Sequence, residues 1–240
     1  MKRLIVLLLI LIGLLLVVGG AVYVYRYTDL LHIRTIRYNE SEHMDLDSIE
    51  LYSGVAIGTP FFEVNLRDAE LGLQQHPYVL SARAESRFPN EILFDITYRE
   101  HIVCVRHLDI LLSVDDNMVV LTTVSEDFPG YRVEGLPFHS FAAGQRLEVE
   151  GNYVLRNAIN FVKLFRLAGL QAEDVIRCAK GEIRFRIDGI TVNFGTGVNT
   201  EERFNAFHTI FQDLKRKGAA SGVIDISGDG APIFRPFEEG

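Results

Sequence analysis

From Leu4 to Tyr25 the chain runs LIVLLLILIGLLLVVGGAVYVY without a single charged side chain. Wound as an α-helix, such a run reaches about 33 Å, enough to cross the hydrocarbon core of a bilayer. Lys2 and Arg3 precede it, and Tyr23, Tyr25 and Tyr27 gather at its far end, where amphipathic rings favour the membrane–water boundary. The run reads as a retained anchor over residues 4–25, with residues 1–3 as a cytoplasmic tail. Arg26, Arg34 and Arg37 weaken the positive-inside contrast. Three residues are too few for a cytoplasmic domain, however, so the bulk is assigned to the far side. A cleaved signal peptide is the rival, because Val18-Gly19-Gly20 before Ala21 is a passable small-residue site. Both readings export everything that follows.

The 240 residues are 48% hydrophobic, enough to fill one or two ordinary cores. A net charge of −8 argues against nucleic acid, whose phosphates need a basic face. Cys104 and Cys178 form no CxxC pattern and no Cys/His cluster, so they read as part-buried thiols. A single bridge stays open if both face one core outside the cytoplasm.

Beyond the anchor the pattern is α+β. A strand near Ile33–Tyr38 precedes a helix around Asp45–Tyr52, ended by Gly54, and a second helix over Leu66–Gln75 capped by Asn65. In HPYVLSARAESRFPNEILFDITYRE (residues 76–100), Leu80, Ala82 and Ala84 are expected on one face of a strand and Arg83, Glu85 and Arg87 on the other. Phe88-Pro89-Asn90 breaks it, and Ile92, Phe94, Ile96 and Tyr98 alternate in the next strand. A β-α-α-β-β unit results.

A second unit follows from Ile102. Asp115-Asp116-Asn117 reads as a turn between two strands, ILLSV and MVVLT. Leu155, Ala158, Ile159, Val162 and Phe165 mark one face of a helix that Gly169 can end. Alternating strands on either side of Asp188-Gly189 make a hairpin. Phe204, Phe207, Phe211 and Leu214 line a last helix, and GVIDISGDGAPIFRP (residues 222–236) supplies two final short strands around a Gly-Asp-Gly turn.

Little in the chain carries chemistry. The seven histidines show no HExxH, with His101 and His107 the nearest approach to a pair. Asp115-Asp116 near Glu126-Asp127 misses the alternating spacing of calcium loops. NFGTGVN, before the last helix, reads as a tight turn more readily than as an anion site, and Ser53 and Ser140 lack the GxSxG elbow. The chain reads as a non-enzyme with no cofactor and no metal.

The order of IRTIRY (residues 33–38), GTPFF (residues 58–62), the quoted 76–100 segment and IDISGDGAPIFRP, behind a short tail and an anchor, resembles the FtsQ/DivIB family of bacterial cell-division proteins. Pro77, Tyr78, Val79, Pro89 and Glu100 occupy the signature positions, with Tyr78 where Trp is usual, Ile102 and Val103 where a Pro is common, and Ser227-Gly228 in place of an Arg-aromatic pair. The resemblance implies a POTRA domain over residues 30–101 and an FtsQ-type mixed α/β "β domain" over residues 102–236, ending in a C-terminal strand pair. It also implies a single-pass membrane scaffold at the division septum. Its partners would be the bitopic FtsB/DivIC-like and FtsL-like proteins and, indirectly, the septal synthase FtsW/FtsI. Docking is expected by strand addition at Ala231, Ile233, Phe234 and Arg235, where a charge at Phe234 should weaken binding without unfolding the domain. Two other classes compete. One is an exported assembly or transport module, which would need a following barrel of lipid-facing strands. The other is an anchored cell-wall enzyme with paired carboxylates.

Overall fold

The computed structural model describes residues 2–27, 29–172, 175–218, 221–228 and 230–237, which divide into two compact units at Tyr98/Arg99. The chain opens with a helix, α1 (Lys2–Tyr27). Its large apolar side chains from Val6 to Val18 are 48–70% exposed all round, with no protein surface covering them. The side chains of the tail (residues 1–3), of Tyr25 and of Tyr27 lie outside the described residues. Among the described residues no helix is long and apolar enough to cross a membrane.

The rest of the first unit is β1 (Thr35–Tyr38), α2 (Leu46–Ser53), α3 (Leu66–Leu73), β2 (Val79–Arg87) and β3 (Glu91–Tyr98), with strand order β1-β3-β2. β1 lies parallel to β3 and β2 antiparallel to it, so the β-α-α-β-β connection is closed by one hairpin. Local chemistry sets the helix ends. The Asp45 carboxylate accepts from the Ser48 amide at 2.9 Å, and Gly54 stops α2 in the left-handed region (φ 68°). Asn65 accepts from the amides of Arg67 and Asp68 at the start of α3. Ile33, Ile49, Leu73, Val79, Ile92, Phe94 and Ile96 form the core between helices and sheet. One expectation about β2 fails. Leu80 points outward and Val79 is buried, because the register slips between Val79 and Ser81, a bulge that turns one residue over.

The second unit holds a nine-stranded sheet in the order β12-β11-β10-β9-β8-β7-β4-β5-β6. Its strands are β4 (Val103–His107), β5 (Ile110–Val114), β6 (Val120–Thr123), β7 (Tyr131–Glu134), β8 (Ile176–Ala179), β9 (Glu182–Ile187), β10 (Ile190–Gly195), β11 (Gly222–Asp225) and β12 (Ile233–Pro236). Two helices, α4 (Asn152–Leu167) and α5 (Thr200–Lys217), share one core with the sheet. Phe161 sits at its centre, with ring centroids 4.4 Å from Phe165 and 4.7 Å from both Phe185 and Phe194. Each such ring contributes about 1.5–3 kcal/mol by leaving water. Asp188 and Gly189 both take positive φ (46° and 78°), the two-residue turn whose twist suits a β9–β10 hairpin.

β4, β7 and β8 escaped the sequence reading. All three lie inside the sheet and are short, so their neighbours rather than their own patterns hold them. Asp115 is more than a turn residue. It is 1% exposed, pairs with Arg99 at 2.6 Å, and accepts from the amides of Asn117 (2.9 Å) and Val119 (2.7 Å). The two cysteines are both free. Cys178 belongs to the helix-covered core, whereas Cys104 pairs in register with Ser113 and Arg132 on the opposite face, so no bridge joins them.

Candidate protein-docking edge

A sheet has two edges, and this one treats them differently. Beyond β6 the segment after Phe141 folds back alongside: the Val120 amide donates to Gln145, the Gly144 amide to Val120 and the Leu147 amide to Met118, and Val119 bridges Arg146. That side of the ladder is covered. At the other end β12 pairs with β11 alone, and among the described residues no strand or loop pairs along its outer side.

The register places the four β12 residues on two faces. Ile224, buried in the core, lies opposite Phe234, so the Phe234 ring faces the core and packs against it. Ile233 lies opposite Asp225 and Arg235 opposite Val223; both are exposed on the other face, Ile233 by 50%. Ile233 and Arg235 are therefore the β12 side chains open to an outward contact, whereas Phe234, among the expected docking residues, is half-buried against the core. Ala231 precedes the strand in an exposed loop.

Three groups that the sequence reading missed hold this edge in place. Gly222 leaves room for β12: a Cβ there would lie 2.5 Å from the Phe234 ring and 2.7 Å from the Arg235 carbonyl oxygen. Arg203, from α5, donates to the backbone carbonyls of Ile226 and of Gly228, the latter at 3.2 Å, and so ties down the loop that leaves β11. At the end of β11, Asp225 accepts from the hydroxyl of Ser227 at 2.7 Å and from its amide at 3.1 Å. The Ser227 hydroxyl, its amide, and more weakly Arg235 and Arg184 hold that carboxyl below the usual range. Ser227-Gly228, a departure from the family pattern, is thus the turn that ends β11. Asp229 lies outside the described residues. The only local hint of these roles was a small residue at each end of VIDI, Gly222 and Ser227.

The signature positions of the first unit do not converge. Pro77 and Tyr78 form the turn from α3 into β2, where Tyr78 stacks on His43 at 3.8 Å and its amide donates to His76. Val79 is buried opposite Tyr98, Pro89 sits at the other end of β2 in the hairpin turn, and Glu100 is exposed beyond the boundary between the units. These positions shape turns and core.

The nearest approach to a reactive group is His101, whose Nδ1 lies 2.9 Å from Ser113 Oγ and whose Nε2 lies 3.9 Å from Cys104 Sγ. Burial pushes the thiol up to about 11 against the pull of Arg132 and Arg166; burial and then Arg166 push the imidazole down to about 4. A buried neutral thiol beside a neutral ring packs rather than attacks. Among the described residues no group of three or more His, Cys, Asp or Glu is placed to hold a metal. Asp115 and Glu126 are occupied by Arg99 and Arg106. The turn before α5 is followed by Glu201 and Glu202, whose charge occupies the place an anion would take.

The fold is thus a β-α-α-β-β unit followed by a mixed sheet that, among the described residues, leaves one edge uncovered. Residues 31–99 match the POTRA domain, FtsQ-type. A Clostridium tetani protein named Cell division protein DivIB is 20% identical over 84% of this chain and 78% of its own length. Two Clostridium botulinum proteins of the same name are 21% and 22% identical, each over 85% of this chain and 81% of their own. Residues 31–99 thus match an FtsQ-type POTRA domain, and over most of its length the chain is similar to cell-division proteins named DivIB.

Proposed function

We propose that the chain is a single-pass scaffold of the division septum, anchored by the 4–25 run with its N-terminus inside. Its second unit docks FtsB/DivIC-like and FtsL-like bitopic partners by strand addition to β12, and through them supports septal FtsW/FtsI. It performs no catalysis of its own. One observation supports the reading: among the described residues β6 is covered along its outer side while β12 is not. An unpaired row of N–H and C=O groups is a template for a further strand, and left alone it invites aggregation. A partner strand removes that liability and gains a ladder of hydrogen bonds.

The test is co-purification of the full-length chain with a DivIC-like partner from membranes. Ile233→Asp, on the exposed face, should weaken capture about tenfold, the equivalent of one desolvated apolar contact, with the fold intact by circular dichroism. Phe234→Asp should instead destabilise the second unit. Capture unaffected by Ile233→Asp and by Arg235→Glu would remove β12 as the docking site.

A further inference from the structure

We propose that Phe62 and Phe88 form an aromatic wedge seated in the outer headgroup layer of the membrane that α1 enters; the inference rests on the anchored reading above. The two rings come from different loops of the first unit, Phe62 from the turn that follows Thr59-Pro60 and Phe88 from the β2–β3 turn. They meet around Phe61, with centroids 5.4 Å (Phe61–Phe62), 5.8 Å (Phe61–Phe88) and 6.5 Å (Phe62–Phe88) apart. Aromatic clusters of this kind normally fill cores. Here Phe62 is 63% and Phe88 70% exposed, and Leu30 and Ile57 are exposed as well. Gathered apolar surface marks a contact.

The backbone says what the contact is. The segment that leaves α1 is clamped between the two aromatic loops. The Ile33 amide donates to Thr59 (2.8 Å), the Gly58 amide donates to Ile33 (2.7 Å), and His32 bridges Pro60. On the other side the Arg34 amide donates to Asn90 (2.9 Å), next to the Phe88-Pro89 turn. From the last residue of α1, Tyr27, to His32 is a step of five residues, which spans at most about 17 Å even when fully extended. However the domain tilts, both rings stay tethered close to where the helix leaves the bilayer. A bilayer surface is therefore always within reach, and exposed phenyl rings on loops that clamp a segment carrying the exposed cation Arg34 suit the interfacial layer. Two such rings, one on each side of the clamped segment, resist rotation of the domain about its tether.

The chain contains no tryptophan, so one introduced at a time reports depth without background. Full-length Phe62→Trp, Phe88→Trp, Leu80→Trp and Leu15→Trp would be reconstituted into phosphatidylethanolamine–phosphatidylglycerol vesicles. Lipids brominated either near the headgroup or deep in the acyl chain would serve as quenchers. Leu80 is exposed on β2, about 26 Å along the strand from Phe88, and serves as the solvent reference. Phe62→Trp and Phe88→Trp should show blue-shifted emission and about threefold stronger quenching by shallow bromines than Leu80→Trp, as interfacial side chains do. Leu15→Trp should be quenched by deep bromines. Phe62→Trp and Phe88→Trp indistinguishable from Leu80→Trp, with Leu15→Trp quenched, would overturn the wedge and leave the anchor standing. Leu15→Trp unquenched would overturn the anchor, and the wedge with it.

Discussion

Replacing Gly222 with alanine separates β12 from the sheet without touching an exposed docking side chain. The added methyl would lie 2.5 Å from the Phe234 ring and 2.7 Å from the Arg235 carbonyl oxygen. Comfortable carbon contacts begin near ~3.5 Å, so the overlaps approach an ångström. The half-buried ring can swing away, but the carbonyl is backbone and moves only with its strand. A shift of about 0.7 Å stretches a ladder bond of ~2.9 Å past the ~3.5 Å at which it ceases to hold. β12 pairs over only four residues, Gly222↔Pro236 to Asp225↔Ile233, so little remains to hold it. An overpacking cost of about 1–3 kcal/mol is expected, confined to this corner. Hydrogen exchange on the full-length chain reads it directly. The amides of β11 and β12 that bond across their shared ladder should lose about 5- to 150-fold protection while those of β9 and α4 keep theirs. Partner capture should fall with the loss of the strand. Unchanged protection in β12, or lost protection with capture intact, refutes the argument that the strand is both held by Gly222 and used for docking.

Asp115→Ala leaves the Arg99 guanidinium and two amides without their shared acceptor, so the second unit should lose about 3–5 kcal/mol in urea denaturation. Adding Arg99→Ala should then cost less than the sum of the two single changes. Ser227→Ala removes the largest influence holding the Asp225 carboxyl down, so its titration, followed by carbon NMR, should move up toward the ordinary carboxylate range. With its pKa depressed in the fold, Asp225 contributes stability that is complete above its unfolded value. That contribution is lost as pH falls through the folded one, and Ser227→Ala should shrink it. Burial pushes Cys104 up to about 11 and Cys178 to about 12, so neither thiol should react with iodoacetamide at pH 8 until urea unfolds the second unit.

Most elements that carry their own signal were legible in the sequence. Asn65 caps the helix it precedes, Asp188-Gly189 makes the hairpin, and the phenylalanines of α5 mark its buried face. What could not be read is whatever depends on a neighbour. β4 and β7 pair in parallel across a separation of about thirty residues, and nothing local to VCVRH or YRVE specifies that partner. The Leu80 error has the same origin, since a bulge is a property of two strands. At the candidate site the sequence located the final strand pair but not which face Phe234 takes, because that is set by the register Ile224↔Phe234. That Gly222 and Arg203 matter follows only once β12 and α5 are in place.

The parallel pairing of β10 with β11 has a further consequence. To lay β11 beside β10 in the same direction, the chain must first travel back through α5. β12 in turn can settle only on a finished β11. For a polypeptide that emerges amino end first, β12 is thus the last strand able to pair. A copy cut short before Ile233 would end the sheet at β11 instead, so the β12 edge exists only in a molecule complete through its final strand.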